Sequence, residues 1–276
     1  MPIEMIQWDE GLAARVQAGP GEKVLWLHGY TINGSTWQPL WDLLPDWYHI
    51  GLDLPGHGAS GPWPEDVTLP KLARRIGRLA VEAGVQHIVA LSFGTMLGLQ
   101  VVLEYPEAFA SLTLGAPALA GGPTDPQSGV RYGQLAQLFW QRGAGPWMTE
   151  LWMQSPPDIF AGARRHPLLW QSLIDVLNEH TWSELKTGRM RGLVMGYEQT
   201  ADSLRQITTS TLVLVGDEEM AAFKQTADIL ECEIPNCQRI NLPQTGHLCM
   251  LEVPQQCAPI MAAHWQAERS LVISGQ

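Results

Sequence analysis

Hydrophobic positions along this chain follow two spacings. Short apolar runs bounded by turn-forming residues occur at 24–27, 49–54, 87–91, 109–114, 211–215 and 238–242, and they read as buried strands. Between them the apolar residues step by three or four. Leu72, Ile76, Leu79, Ala80 and Ala83 form one such stripe, which stops at Gly84 and predicts a helix over 69–83. Similar stripes predict helices over 93–104, 220–230 and 254–266. The beginning of the chain differs: 3–8 and 12–17, joined by Asp9-Glu10-Gly11, read as an antiparallel hairpin at one edge of a sheet. Strands alternating with helices need right-handed crossovers. The expected fold class is therefore α/β, a mostly parallel twisted sheet with helices on both faces.

The alternation lapses after Ala116 and resumes near Thr200, with no convincing strand between and helical segments separated by Gly and Pro. This stretch is expected to be an inserted helical lid, residues 119–200, on a core formed by 1–118 and 201–276. It is rich in tryptophan. Most of those rings are expected to pack the lid onto the sheet. A subset, Trp140, Trp147 and Trp152 with Met148 and Met153, is expected to line an apolar substrate pocket.

Charge narrows the choice of partner. A net charge of -11 opposes binding to nucleic acid or to an anionic membrane surface. No basic start followed by an apolar run opens the chain, and no apolar stretch is long enough to span a bilayer. A cytoplasmic protein is expected, and a homodimer is allowed. Cys232, Cys237, Cys249 and Cys257 lack the paired spacing of a zinc site and are read as buried thiols. Neither a metal nor a cofactor is expected.

The chemistry centres on Val89-Ala90-Leu91-Ser92-Phe93-Gly94-Thr95, where a strand breaks at a serine and a helix begins. A strand-to-helix turn this sharp forces a strained backbone at the serine and requires small residues two positions away on either side; Ala90 and Gly94 meet that requirement. A serine hydroxyl is a poor nucleophile without a base, an orienting carboxylate and donors for the oxyanion. His247, in Gln244-Thr245-Gly246-His247 after the last strand, is the candidate base. Asp217, Glu218 and Glu219 follow the preceding strand at the same sheet end. Glu219 is favoured because the third position after Gly216 can curl back toward the histidine, and Asp217 and Glu218 remain alternatives.

Taken with His28-Gly29-Tyr30, Asp53-Leu54-Pro55-Gly56-His57-Gly58-Ala59-Ser60 and Gly246-His247, the Ser92 turn makes the chain resemble the α/β-hydrolase fold superfamily over nearly its whole length, with serine, acid and histidine in the family's order. The resemblance implies an oxyanion hole formed by the backbone N–H groups of Tyr30 and Phe93. It also implies supporting rather than chemical roles for His28, His57 and Asp53. Three positions depart from the family: Ala90 where the first glycine of Gly-x-Ser-x-Gly is usual, a glutamate at 219 where aspartate is usual, and Thr95 where a second glycine is usual.

The expected activity is that of a cofactor-independent serine hydrolase, carboxylesterase-like, which cleaves an ester, lactone or thioester of a small to medium hydrophobic substrate through an acyl-enzyme. Carbon–carbon bond hydrolysis and peracid formation are alternatives on the same scaffold, and a slow-turnover ligand receptor is the alternative of another class.

Overall fold

A computed structural model describes residues 2–274. Eight strands form one sheet: β1 (Ile3–Asp9), β2 (Leu12–Gln17), β3 (Lys23–Leu27), β4 (Tyr48–Leu52), β5 (Val85–Leu91), β6 (Ser111–Gly115), β7 (Ser210–Gly216) and β8 (Cys237–Leu242). Their order is β1-β2-β4-β3-β5-β6-β7-β8. The first hairpin does lie at an edge, antiparallel within itself and to β4, and every pair from β4 to β8 is parallel.

The helices are α1 (Gln38–Trp41), α2 (Leu69–Glu82), α3 (Phe93–Glu104), α4 (Pro126–Arg142), α5 (Pro146–Trp152), α6 (Pro167–Glu179), α7 (Glu184–Thr187), α8 (Arg189–Met195), α9 (Ala201–Leu204), α10 (Ala221–Glu233), α11 (Cys249–Glu252) and α12 (Pro254–Ser274). Alternation along the strands sorts the core into two layers. Leu25, Leu27, Ile88, Ala90, Leu112, Leu114, Val213 and Val215 face α2, α3 and α10. Val24, Trp26, Val89, Leu91, Leu212 and Leu214 face α1, α11 and α12. Both faces of the central strands are covered, so 24–27, 88–91 and 212–215 read as continuous apolar runs, while β6 alternates buried Ser111 and Thr113 with leucine.

Between β6 and β7 the chain is helical from α4 to α9, with two short 3-10 turns at Asp158–Phe160 and Gly162–Arg165. The buried side chains of α4 to α7, among them Leu135, Phe139, Met148, Trp152, Leu173 and Leu185, join the second layer. Met190 and Leu193 of α8 join the first. Among the described residues, no helix is long and apolar enough to cross a membrane. The thiols divide: Cys249 and Cys257 are buried as expected, whereas Cys232 is exposed on α10 and Cys237 is half-buried on the edge strand β8.

Candidate active site

Ser92 stands between β5 and α3 with φ 52° and ψ −121°, a conformation that L-residues adopt only when their surroundings impose it. Its N–H donates to Gly115 O at 2.9 Å, tying the turn to β6. Gly94 is required by contact: a Cβ there would lie 2.5 Å from Leu27 O and 2.7 Å from His28 O, both backbone atoms. Ala90 fits for a different reason. Its methyl points at Gly98, where an added Cβ would come within 3.2 Å of it, so a glycine one turn into α3 makes the room. Thr95 uses its hydroxyl: Oγ1 lies 2.5 Å from Ser92 O and accepts the Ala118 N–H at 2.8 Å. The departure from a second glycine thus adds a pin between the serine turn and the chain leaving β6.

The loops after β7 and β8 interlock. Asp217 N–H donates to Leu242 O and Glu218 N–H to Thr245 O, while the Glu219 N–H turns back to Gly216 O at 3.2 Å. This curl separates the three carboxylates. Asp217 accepts the Thr245 N–H at 3.2 Å, and Glu218 pairs with Arg165 at 2.5 Å on the surface. Glu219, its side chain fully buried, accepts the His247 Nδ1–H at 2.8 Å through Oε2 and the Met220 N–H at 2.7 Å through Oε1. The other ring nitrogen, His247 Nε2, lies 2.8 Å from Ser92 Oγ and is placed to accept its proton. Phe223 packs on the imidazole, with ring centroids 4.4 Å apart.

The loop after β3 approaches the serine from the opposite side. A Cβ at Gly29 would be 3.4 Å from Ser92 Cβ, so the peptides of His28-Gly29-Tyr30 pass directly over it. Two buried histidines hold this loop. His57 Nε2 accepts the Thr31 N–H at 3.1 Å, and Nδ1–H donates to Pro55 O; His28 Nε2 accepts the Leu54 N–H at 2.9 Å, and Nδ1–H donates to Gly29 O. Thr31, at φ 67°, passes its own proton to Tyr30 O and accepts the indole N–H of Trp152 at 2.8 Å. Asp53 accepts the N–H groups of Gly34 and Ala59 and pairs with Arg15, a wholly structural set of contacts.

A family model described as the alpha/beta hydrolase family matches residues 24–260. This chain belongs to that family. One relative, a pimeloyl-[acyl-carrier protein] methyl ester esterase of Aeromonas hydrophila, is 33% identical over 251 residues, covering 88% of this hydrolase and 95% of its relative. A shorter match, 34% over 104 residues, is to the dihydrolipoyllysine-residue acetyltransferase component of the acetoin cleaving system of Cupriavidus necator; it spans 28% of that longer protein. The solved structure of a thermophilic esterase from Thermogutta terrifontis with malate bound has the same fold. Its TM-score is 0.76 at 21% identity, over 93% of this hydrolase and 94% of that chain.

The residues expected to line a pocket separate in the structure. Trp140, on α4, is 69% exposed to solvent. Trp147 is half-buried, donating to Gly143 O and carrying the Arg142 guanidinium 4.1 Å above its ring. Met148, Trp152 and Met153 are buried in the second layer, and Trp152 reaches Tyr30, ring centroids 5.5 Å apart. Sequence reasoning missed the groups around Tyr30. Its hydroxyl donates to Glu184 Oε1 at 2.7 Å, which also accepts from His180 Nε2 at 3.1 Å, and the ring touches Trp182. Burial works against the charge on Glu184, but these donors prevail and hold the carboxyl below its ordinary value.

Arginines of the segment between β6 and β7 are engaged by the protein itself. Arg131 donates to the carbonyls of Leu151, Gln154 and Pro156, Arg164 to Met153 O, Arg165 to Gln244 O and Arg189 to Trp63 O. The Arg191 side chain lies outside the described residues.

Proposed function

We propose that this chain is a cofactor-independent serine hydrolase, carboxylesterase-like, acting on an ester, lactone or thioester of a small to medium hydrophobic substrate. The observation that carries this reading is the unbroken chain Ser92 Oγ–His247–Glu219, with both links at 2.8 Å and the serine on a strained turn. Ester hydrolysis named for the Aeromonas relative agrees with it.

In this reading Ser92 Oγ attacks the carbonyl carbon as its proton passes to His247 Nε2. Glu219 accepts the Nδ1–H throughout, fixing the tautomer and stabilising the imidazolium. The N–H groups of Tyr30 and Phe93 donate to the developing oxyanion; removing one such donor typically costs about 10²- to 10³-fold. Collapse breaks the bond to the leaving group, which takes the proton from His247. Water then attacks the acyl-enzyme, giving one proton to His247, and the acid departs as Ser92 recovers its hydrogen. Residues 119–200 act as a lid, with Trp152 and Trp182 contributing apolar walls beside Tyr30.

The test is intact mass after a fluorophosphonate probe, with hydrolysis of p-nitrophenyl esters of rising chain length. Wild type is expected to gain one adduct and Ser92→Ala none, with ester turnover in that variant and in Glu219→Gln down by orders of magnitude. A folded wild type that neither labels nor turns over any ester, lactone or thioester refutes the proposal.

A further inference from the structure

His247 is carried on a loop, and a single side chain grips that loop on both sides of it. Glu252, at the end of α11, has a fully buried carboxylate whose Oε2 accepts the Gly246 N–H at 2.8 Å and whose Oε1 accepts the Leu248 N–H at 3.1 Å. The Leu248 N–H belongs to the peptide that leaves the histidine, and the Gly246 N–H to the Thr245–Gly246 peptide, one step before the peptide that enters it. Holding these two planes, one directly after the histidine and one a residue upstream, limits how far the His247 Cα–Cβ bond can swing. Reacting groups need alignment within about 0.5 Å and 10–20°, and a tilt of about 10° carries the far ring nitrogen by roughly 0.8 Å, enough to cost about 10²-fold.

The helical segment between β6 and β7 closes over this grip. Gly162 lies so near that a Cβ there would be 2.1 Å from Glu252 Oε2, and a Cβ at Gly246 would come within 3.2 Å of the Gly162 backbone. Three residues on, Arg165 reaches across both loops. Its guanidinium pairs with Glu218, beside Glu219, donates to Gln244 O at 2.7 Å, and stands 3.8 Å from Glu252 Oε2.

We propose that Glu252 is the positioning residue for His247, and that Arg165 makes the alignment of His247 with Glu219 depend on the helical segment being seated. The proposal rests on the reading of His247 as the base. A glutamine at 252 keeps one acceptor oxygen but turns an N–H₂ toward the second peptide N–H, so only one of the two planes stays held. Arg165 is 46% exposed, so its contribution is screened by salt, whereas that of Glu252 is not.

Two readouts on wild type, Glu252→Gln and Arg165→Ala decide the matter: the rate of fluorophosphonate labelling, and the far-downfield proton resonance of the His247–Glu219 hydrogen bond. That resonance is assigned by its absence in Glu219→Gln. Glu252→Gln is expected to slow labelling by about 10²-fold and to shift or broaden the resonance in a protein with native circular dichroism. Arg165→Ala, at the surface and safe for folding, is expected to slow labelling several-fold at low salt and to match wild type at high salt. Wild-type labelling and an unmoved resonance in both variants overturn the proposal. Should wild type itself fail to label, the proposed function falls, and the resonance in Glu252→Gln alone decides the positioning role.

Discussion

Acidification should unfold this protein early, because three buried histidines are built into the fold as neutral rings. His28 and His57 each accept a backbone N–H on Nε2 and donate from Nδ1; His49 accepts the Trp26 indole N–H on Nδ1 at 3.1 Å and donates from Nε2 to Leu44 O. Protonation would turn the accepting nitrogen into a donor facing a donor. Burial is the main cause that pushes His28 down to about 3, His49 down to about 4 and His57 well below the ordinary 6.5. The folded-state values lie below the unfolded one, so as pH falls through 6.5 the unfolded chain takes up protons the native state refuses, and stability falls. Between pH 7 and 5.5 each withdraws about 1.2 kcal/mol, and with buried His87, which desolvation likewise lowers to about 4, the four histidines withdraw about 5 kcal/mol. Glu252 opposes them in part, since burial raises its carboxyl and favours the proton in the folded state. Asp9, Asp66, Asp217 and Glu184 are all held below their ordinary values and titrate beneath this window. Against a typical total of about 5–15 kcal/mol, such a loss is large. Urea unfolding at pH 7.0 and 5.5 measures it, and His49→Gln should reduce the pH slope by about one quarter of the histidine contribution while lowering stability at both. Stabilities equal within about 1 kcal/mol at the two pH values would mean that the rings protonate in place, and the tautomer argument would fail.

Two further outcomes test the site's framework. Gly94→Ala drives a methyl into Leu27 O and His28 O and should lower the thermal midpoint by the equivalent of roughly 1–3 kcal/mol or abolish soluble expression, whereas Gly129→Ala, with nothing within 4 Å in α4, should raise it by up to about 1 kcal/mol. Tyr30→Phe removes a donor from the buried Glu184 carboxylate but leaves the Tyr30 N–H; chemical denaturation should show a loss of about 1–3 kcal/mol with ester kcat within a few-fold of wild type, and a fall beyond 100-fold would assign the hydroxyl to the chemistry.

What the sequence made legible follows from how local each feature is. Buried strands are written in contiguous residues, and the Ser92 turn is bounded by steric needs at Ala90 and Gly94, so both can be read before any fold is known. The choice among Asp217, Glu218 and Glu219 depends on two peptide hydrogen bonds to the β8 loop, from Asp217 to Leu242 and from Glu218 to Thr245, which no spacing along one segment encodes. Trp140 illustrates a different limit: hydrophobic size suggested a pocket wall, but its place on α4 turns it outward. Glu252 escaped notice because its partners are backbone N–H groups, which every sequence supplies. Glu184 escaped because a lone glutamate among tryptophans reads as a solvated helix residue until the fold buries it.

The helical segment between β6 and β7 touches both halves of the proposed machinery, and this constrains how the enzyme can work. On one side Trp152 donates to Thr31 and Glu184 accepts from Tyr30, which bears a proposed oxyanion donor; on the other, Gly162 and Arg165 cover the Glu252 grip on the His247 loop. A segment that lifted away whole would therefore release the oxyanion loop and the base together. On the proposed reading, alignment of the serine, base and oxyanion donors belongs to the seated form, and substrate entry must leave those contacts standing or restore them before acylation. The seated form carries a cost of its own, since Glu184 Oε2 is buried without a hydrogen-bond partner among the described residues and would regain water on opening. Changes in this segment are thus expected to alter kcat as well as substrate preference, and a swap of residues 119–200 between relatives would transfer specificity only if Trp152, Gly162, Arg165 and Glu184 came with it.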